Sequence, residues 1–217
     1  RDVRQIVNVS NLRDFERFFR VLAARAGAML NKSEIAKEVG VSIKAIGDWI
    51  SVLQTSGQII LLEPWFTNIN KRIVKTPKVY FADTGLLCFL LGLNADSLLS
   101  SPYLGVLWEN FVFAELRKRN SISEQPVNIW YYRDQLAREI DFILETGGSL
   151  SFLECKWKET PRIEDTTTIM KINRELEESG SIYRPGKHSI ICPTLTPYTL
   201  SNSVGVLDLR SLSDLIE

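Results

Sequence analysis

The first third of the chain carries apolar residues at helical spacing, and the last half carries them in short continuous or alternating runs. Leu12, Phe15, Phe18, Phe19 and Leu22 form one stripe from Asn11 to Leu22, and Gly27 ends that helix. A short helix is predicted from Ser33 to Gly40, with Ser33 as N-cap and the glycine as stop. Val41-Ser42 turns into a third helix from Ile43 to Leu53. Ile35, Val39, Ile46, Ile50 and Leu53 supply a shared core, and Ala36 and Gly40 are small where two helices approach. This is the pattern of a helix-turn-helix. Strands over Gln58–Glu63 and Lys78–Ala82 follow, with a polar, basic tip at Asn68–Arg72. Helices followed by a two-stranded hairpin predict a winged helix. In a DNA-bound reading Ser42, Lys44 and Asp48 enter a major groove, and Lys71 and Arg72 touch phosphate. In the alternative reading the module joins domains or binds protein.

Farther along, Asp83-Thr84-Gly85 matches the aspartic-protease tripeptide, but no second copy exists to pair with it. Asp83 is therefore read as the N-cap of a helix over Gly85–Leu91. An amphipathic helix is predicted over Trp108–Lys118. Strands are predicted over Asn128–Arg133, Arg138–Leu144 and Ser151–Trp157, with a Gly147-Gly148 turn. A helix over Ile163–Glu178, strands over His188–Cys192 and Val204–Leu209, and a short helix over Ser211–Ile216 complete the chain.

The chain has 217 residues, 45% of them hydrophobic and 24% charged, which excludes a disordered tail, a collagen-like rod or a low-complexity linker. No apolar run approaches the ~18–20 residues of a membrane span. The sequence opens at Arg1 without Met or a basic-then-apolar leader, and reads as an excised or processed piece of a cytoplasmic protein. Three scattered cysteines argue against a disulfide framework or a zinc finger, and the single histidine, His188, excludes a multi-histidine mechanism. His188 is expected to cap its strand rather than bind metal. The net charge of zero divides unevenly: 13 Lys and Arg against 8 Asp and Glu up to Asp83, then 13 against 18. That split predicts two modules, 1–83 and 84–217, the first suited to phosphates.

Asp141 lies between Ile140 and Phe142, and Glu154 follows Phe152-Leu153. Acids inside apolar strands are costly unless paired or metal-bound. Strand alternation puts Glu154 and Lys156 on one face and Cys155 on the other. Two carboxylates on adjacent strands can hold a hard cation such as Mg²⁺, or Mn²⁺ in its place, and Glu109 could complete the shell from its helix. Lys156 could orient a water or stabilise developing charge. The competing reading is a salt bridge among Asp141, Glu154 and Lys156. Arg133 and Arg138 flank the acid-bearing strand, either as phosphate contacts or as solvated strand ends.

In order along the chain, several blocks resemble the C-terminal region of bacterial and archaeal AAA-family ATPases that carry a DUF4143 domain. They are Arg1-Asp2-Val3, Asn31–Ala36, Lys71-Arg72, Lys75–Leu86, Trp108–Val112, Tyr131–Arg133, Glu139–Phe142 and Glu154-Cys155-Lys156. The resemblance implies an α/β chain in which a winged helix precedes a restriction-endonuclease-like domain with a mixed central sheet, of the PD-(D/E)xK type. In that pattern Asp141 is the strand-borne acid, Glu154 and Lys156 are the E-x-K, and Glu109 is the helix-borne acid; Ile140 stands where the pattern has Pro. The resemblance also implies an N-terminal P-loop ATPase module as partner. This chain contains no G-x-x-x-x-G-K-[ST], so no ATP site is expected within it. Two functions follow as expectations: a metal-dependent nuclease delivered to DNA, or a non-catalytic DNA- or protein-binding regulatory module.

Overall fold

The computed structural model describes residues 12–65 and 74–216. The chain is a mixed α/β protein of two compact units. The described residues up to Leu62, with Thr76–Asn110, form one; those of Glu63–Lys75, with the chain from Phe111 onward, form the other. The charge-based boundary at 83/84 falls inside the first unit. The excursion between its two strands belongs to the second.

In the first unit, helices α1 (Leu12–Ala23), α2 (Lys32–Val39) and α3 (Ile43–Thr55) precede strands β1 (Ile59–Leu62) and β2 (Lys78–Phe81), then helices α4 (Thr84–Leu90) and α5 (Ala95–Leu98). Phe15 and Phe18 of α1 meet Trp49 of α3, with ring centroids 5.6 and 5.3 Å apart. Ile35, Val39, Ile46, Ile50 and Leu53 are all buried in the same core, as their spacing predicts. Leu12 instead faces solvent, and Phe19 stacks on Phe81. The cap of α2 is Asn31, whose side chain accepts the Glu34 N–H at 3.2 Å; Ser33 lies inside the helix. An amide oxygen caps as well as a hydroxyl, and the earlier residue starts the helix. Ser42 caps α3 through the Ala45 N–H, and Asp83 caps α4 through the Leu86 N–H. β1 and β2 pair antiparallel from Ile59 opposite Phe81 to Leu62 opposite Lys78.

Helix α6 (Leu104–Ile122) leads into the second unit. Its sheet comprises β3 (Asn128–Arg133), β4 (Glu139–Thr146), β5 (Ser149–Cys155), β6 (Arg184–Pro185), β7 (Ser189–Ile191), β8 (Tyr198–Thr199) and β9 (Gly205–Leu207). The order is β3-β4-β5-β7-β9-β8, with short β6 also on β5. β3, β4 and β5 run antiparallel; β7 is parallel to both β5 and β9. Gly147 and Gly148, both at positive φ, make the tight β4–β5 turn. One face packs Phe142 flat on Phe113 of α6. The other packs Ile143 and Phe152 against Ile169 and Ile172 of α7 (Thr167–Glu178), which follows a 3₁₀ turn at Ile163–Thr166.

The outer edge of β3 is covered. The Tyr131 N–H donates to the Glu63 carbonyl at 3.2 Å, the Trp65 N–H to the Tyr131 carbonyl at 2.7 Å, and the Val74 N–H to the Arg133 carbonyl at 3.0 Å. An unpaired edge invites aggregation, so this covering is a structural gain. The predicted basic tip, with Lys71 and Arg72, lies outside the described residues.

His188 links β5 to α7. Its Nδ1 accepts the Phe152 N–H at 3.1 Å, its Nε2 meets Asn173 Oδ1 at 2.9 Å, and its ring stacks on Phe152. These bonds require the neutral Nε2–H form, and burial lowers its pKa from 6.5 to about 4. Only the unfolded chain takes up the proton between those values. Stability is therefore fully present above pH ~6.5 and falls by up to about 3 kcal/mol as pH drops toward 4. Urea titrations across this range should show that slope, and His188→Gln should flatten it.

Gly186 sits against β5: a Cβ there would lie 2.8 Å from the Leu150 carbonyl oxygen. Gly186→Ala should cost about 1–3 kcal/mol. Gly47→Ala, in the open interior of α3, should gain about 0.5–1 kcal/mol. Urea midpoints of the two variants give the comparison.

Candidate functional site

The acidic strand departs from simple alternation. Trp130 pairs with Ile143 and Tyr132 with Ile140, so Asp141 and Phe142 together oppose Tyr131. This is a β-bulge, a device that re-aims a side chain. It lets Ile140 and Ile143 pack into the same cluster although they are three residues apart. On its other side β4 keeps its register with β5, Phe142 opposite Leu153, which brings Asp141 opposite Glu154.

Asp141 is 9% exposed and Glu154 7%. The Cys155 N–H donates to Asp141 Oδ2 at 2.8 Å, so the acid closes the end of the ladder in place of a backbone carbonyl. The two acids stand opposite each other on neighbouring strands, close enough for one charge to act on the other. Burial first, then the charge of Asp141, raises the Glu154 pKa well above the usual carboxylate range. Lys156 lies just past the strand with Nζ 3.4 Å from Glu154 Oε2. Burial pushes its pKa down, but the Glu154 and Asp141 carboxyls push harder the other way, so it is raised.

Asp141, Glu154 and Lys156 thus come together. Glu109, in the first unit, accepts from Lys78 Nζ at 3.1 Å and from the Tyr80 hydroxyl. Lys78 is only 2% exposed. A buried ammonium needs such a counter-charge. Among the described residues no three His, Cys, Asp or Glu side chains gather as metal ligands. The two carboxylates still fit a hard divalent cation, since Mg²⁺ commonly takes one or two carboxylates and completes its shell with water.

Arg133 is ion-paired with Glu139 across the strands. Arg138 grips Asp134 and makes a two-pronged contact with Glu175 of α7. Ser42 is occupied as a helix cap, while Lys44 and Asp48 are exposed on α3. Cys155 is half-buried. The sequence reading missed Lys78, whose place inside an apolar strand beside Val79-Tyr80-Phe81 was the available signal. It also missed Trp65, buried against Tyr183, for which no sequence signal existed.

Two uncharacterized proteins, Rv2008c of Mycobacterium tuberculosis and Mb2031c of Mycobacterium bovis, are each 31% identical to this chain over 173 residues, 79% of it. The chain spans 38% of the length of each. The crystal structure of protein VC1899 from Vibrio cholerae aligns with 98% of this chain and 52% of that one, at 15% identity and a TM-score of 0.32. The model of the domain of unknown function DUF8612 matches residues 1–97. That of the domain of unknown function DUF4143 matches residues 104–212, a span that takes in α6, the bulged strand and both carboxyls of the pair. On that match over half its length, the chain belongs to the DUF4143 family.

Proposed function

We propose that this chain hydrolyses DNA phosphodiesters with a divalent cation, Mg²⁺ or Mn²⁺, at Asp141, Glu154 and Lys156. The observation that carries this reading is the Asp141–Glu154 carboxyl pair with Lys156 beside it, on neighbouring strands. Asp141 and Glu154 would hold the cation. A cation held there would supply Lewis-acid polarisation of a phosphate and a water of lowered pKa. Lys156 donates hydrogen bonds to the attacking water or to the charge that develops on phosphate. Glu109 stays with Lys78 and Tyr80. The α2-turn-α3 pair acts as a helix-turn-helix of a winged helix and brings the site to DNA through Lys44, with Lys71 and Arg72 on phosphate. Arg133 reaches phosphate by exchanging its bond to Glu139. The parent protein adds a P-loop ATPase module, for which the greater length of the relatives leaves room. One observation favours a second reading, a binding module without chemistry. Asp141 already has a structural task, holding the Cys155 N–H.

Supercoiled, linear and single-stranded DNA incubated with Mg²⁺ or Mn²⁺ should be cut, and Glu154→Gln or Asp141→Asn should lower kcat at least about 10²-fold. Glu154→Gln should at the same time stabilise the fold. A carboxyl whose folded pKa is raised loses stability as pH climbs above its unfolded pKa, and the amide removes that loss. At a hundred times its Kd, Mg²⁺ should stabilise the native chain by about 2.7 kcal/mol and leave Glu154→Gln unmoved. Intact DNA, with no effect of Mg²⁺ on melting, would favour the binding module.

DNA affinity measured by fluorescence anisotropy should fall steeply with salt, and Lys44→Ala should reduce the slope by about one. An unchanged slope would remove α3 from the interface.

A further inference from the structure

Residues Glu63–Trp65 leave β1 and run parallel to β3, where Pro64 pairs with Tyr131. Tyr131 is the residue that faces the bulge, and both of its main-chain groups are taken: its N–H by Glu63, its carbonyl by Trp65. Beyond the masking of an edge, this has a local consequence. A bulged strand has one residue too many for its partner, and its partner must be held straight for the excess to go to one place. Trp65 supplies the hold. Its indole is buried in the cluster that also contains Ile140 and Ile143, the residues bracketing Asp141 and Phe142, and it meets Tyr183 edge-on at 5.5 Å.

We propose that Glu63–Trp65 is a strap that fixes the bulge and so aims the Asp141 carboxylate, with Trp65 as a positioning residue for cation binding. The inference rests on the hydrolase reading for its cation, but the placement of Asp141 has a readout of its own. The Cys155 N–H donates to Asp141 Oδ2, so its hydrogen exchange reports where that carboxylate sits. Truncating the indole frees the strap, lets the bulge shift along β4, and exposes the Cys155 amide.

The experiment uses the whole chain, with amide exchange followed by NMR and Mn²⁺ binding by calorimetry. Trp65→Ala is compared with Ile172→Ala, which removes a side chain of the same cluster that is carried by α7, outside the strap and the β3–β4–β5 strands. Trp65→Ala should cut Cys155 protection and weaken Mn²⁺ binding by about 10–100-fold each, while amides in the middle of β4–β5 stay protected. Ile172→Ala should change neither selectively, and Trp65→Phe should restore both. If Trp65→Ala does not fold, Trp65→Leu is judged by the same criteria. Wild-type protection at Cys155 in the Trp65 variant, or an equal selective loss in Ile172→Ala, overturns the strap. A native chain that binds no Mn²⁺ overturns the hydrolase reading instead, and the Cys155 amide alone then decides the strap.

Discussion

Two carboxyl groups that burial and mutual repulsion both disfavour stand side by side because the β4–β5 ladder leaves them nowhere else to go. Phe142 opposite Leu153 commits Asp141 to Glu154, and a slip of one residue would turn every apolar side chain of the hairpin to the wrong face. The cost of the pair is offset locally. Burial favours the neutral form of Glu154, the Cys155 N–H binds Asp141, and Lys156 answers the charge that remains. An arrangement that can be relieved either by a proton or by a cation is the chemical basis of the proposed hydrolysis at this strand end.

The first unit solves a related problem by opposite means. Lys78 sits in a strand whose every residue is buried, and its ammonium is held by Glu109 and Tyr80. Losing Glu109 would remove the counter-charge of a buried ammonium. That explains why an acid expected to join a cation site is engaged elsewhere. The same logic applies to Arg138, whose guanidinium is saturated by Asp134 and Glu175 and ties the β3–β4 loop to α7. Lys44 is the one cation on α3, so the proposed phosphate contact there would depend on it.

Much of the fold was legible in the chain because its signals are local. The apolar stripe of α1, the caps at Ser42 and Asp83, the Gly147-Gly148 turn and the alternation that sets Glu154 with Lys156 each depend on a few neighbouring residues. Boundaries moved where two signals competed, as when Asn31 displaced Ser33 as cap. The E-x-K half of the candidate site was visible for the same reason: its spacing of two is a property of any strand.

By itself the sequence determined the order of helices and strands, the helix pair joined by Gly40–Ser42, and the acids and lysine that stand out in apolar strands. Only the tertiary structure decided which acids meet. The bulge at Asp141, the partnership of Glu109 with Lys78 and the strap along β3 all join residues far apart in the chain. Their pairing is set by strand register and by the need to satisfy buried polar groups, and neither leaves a periodicity that a linear reading can detect.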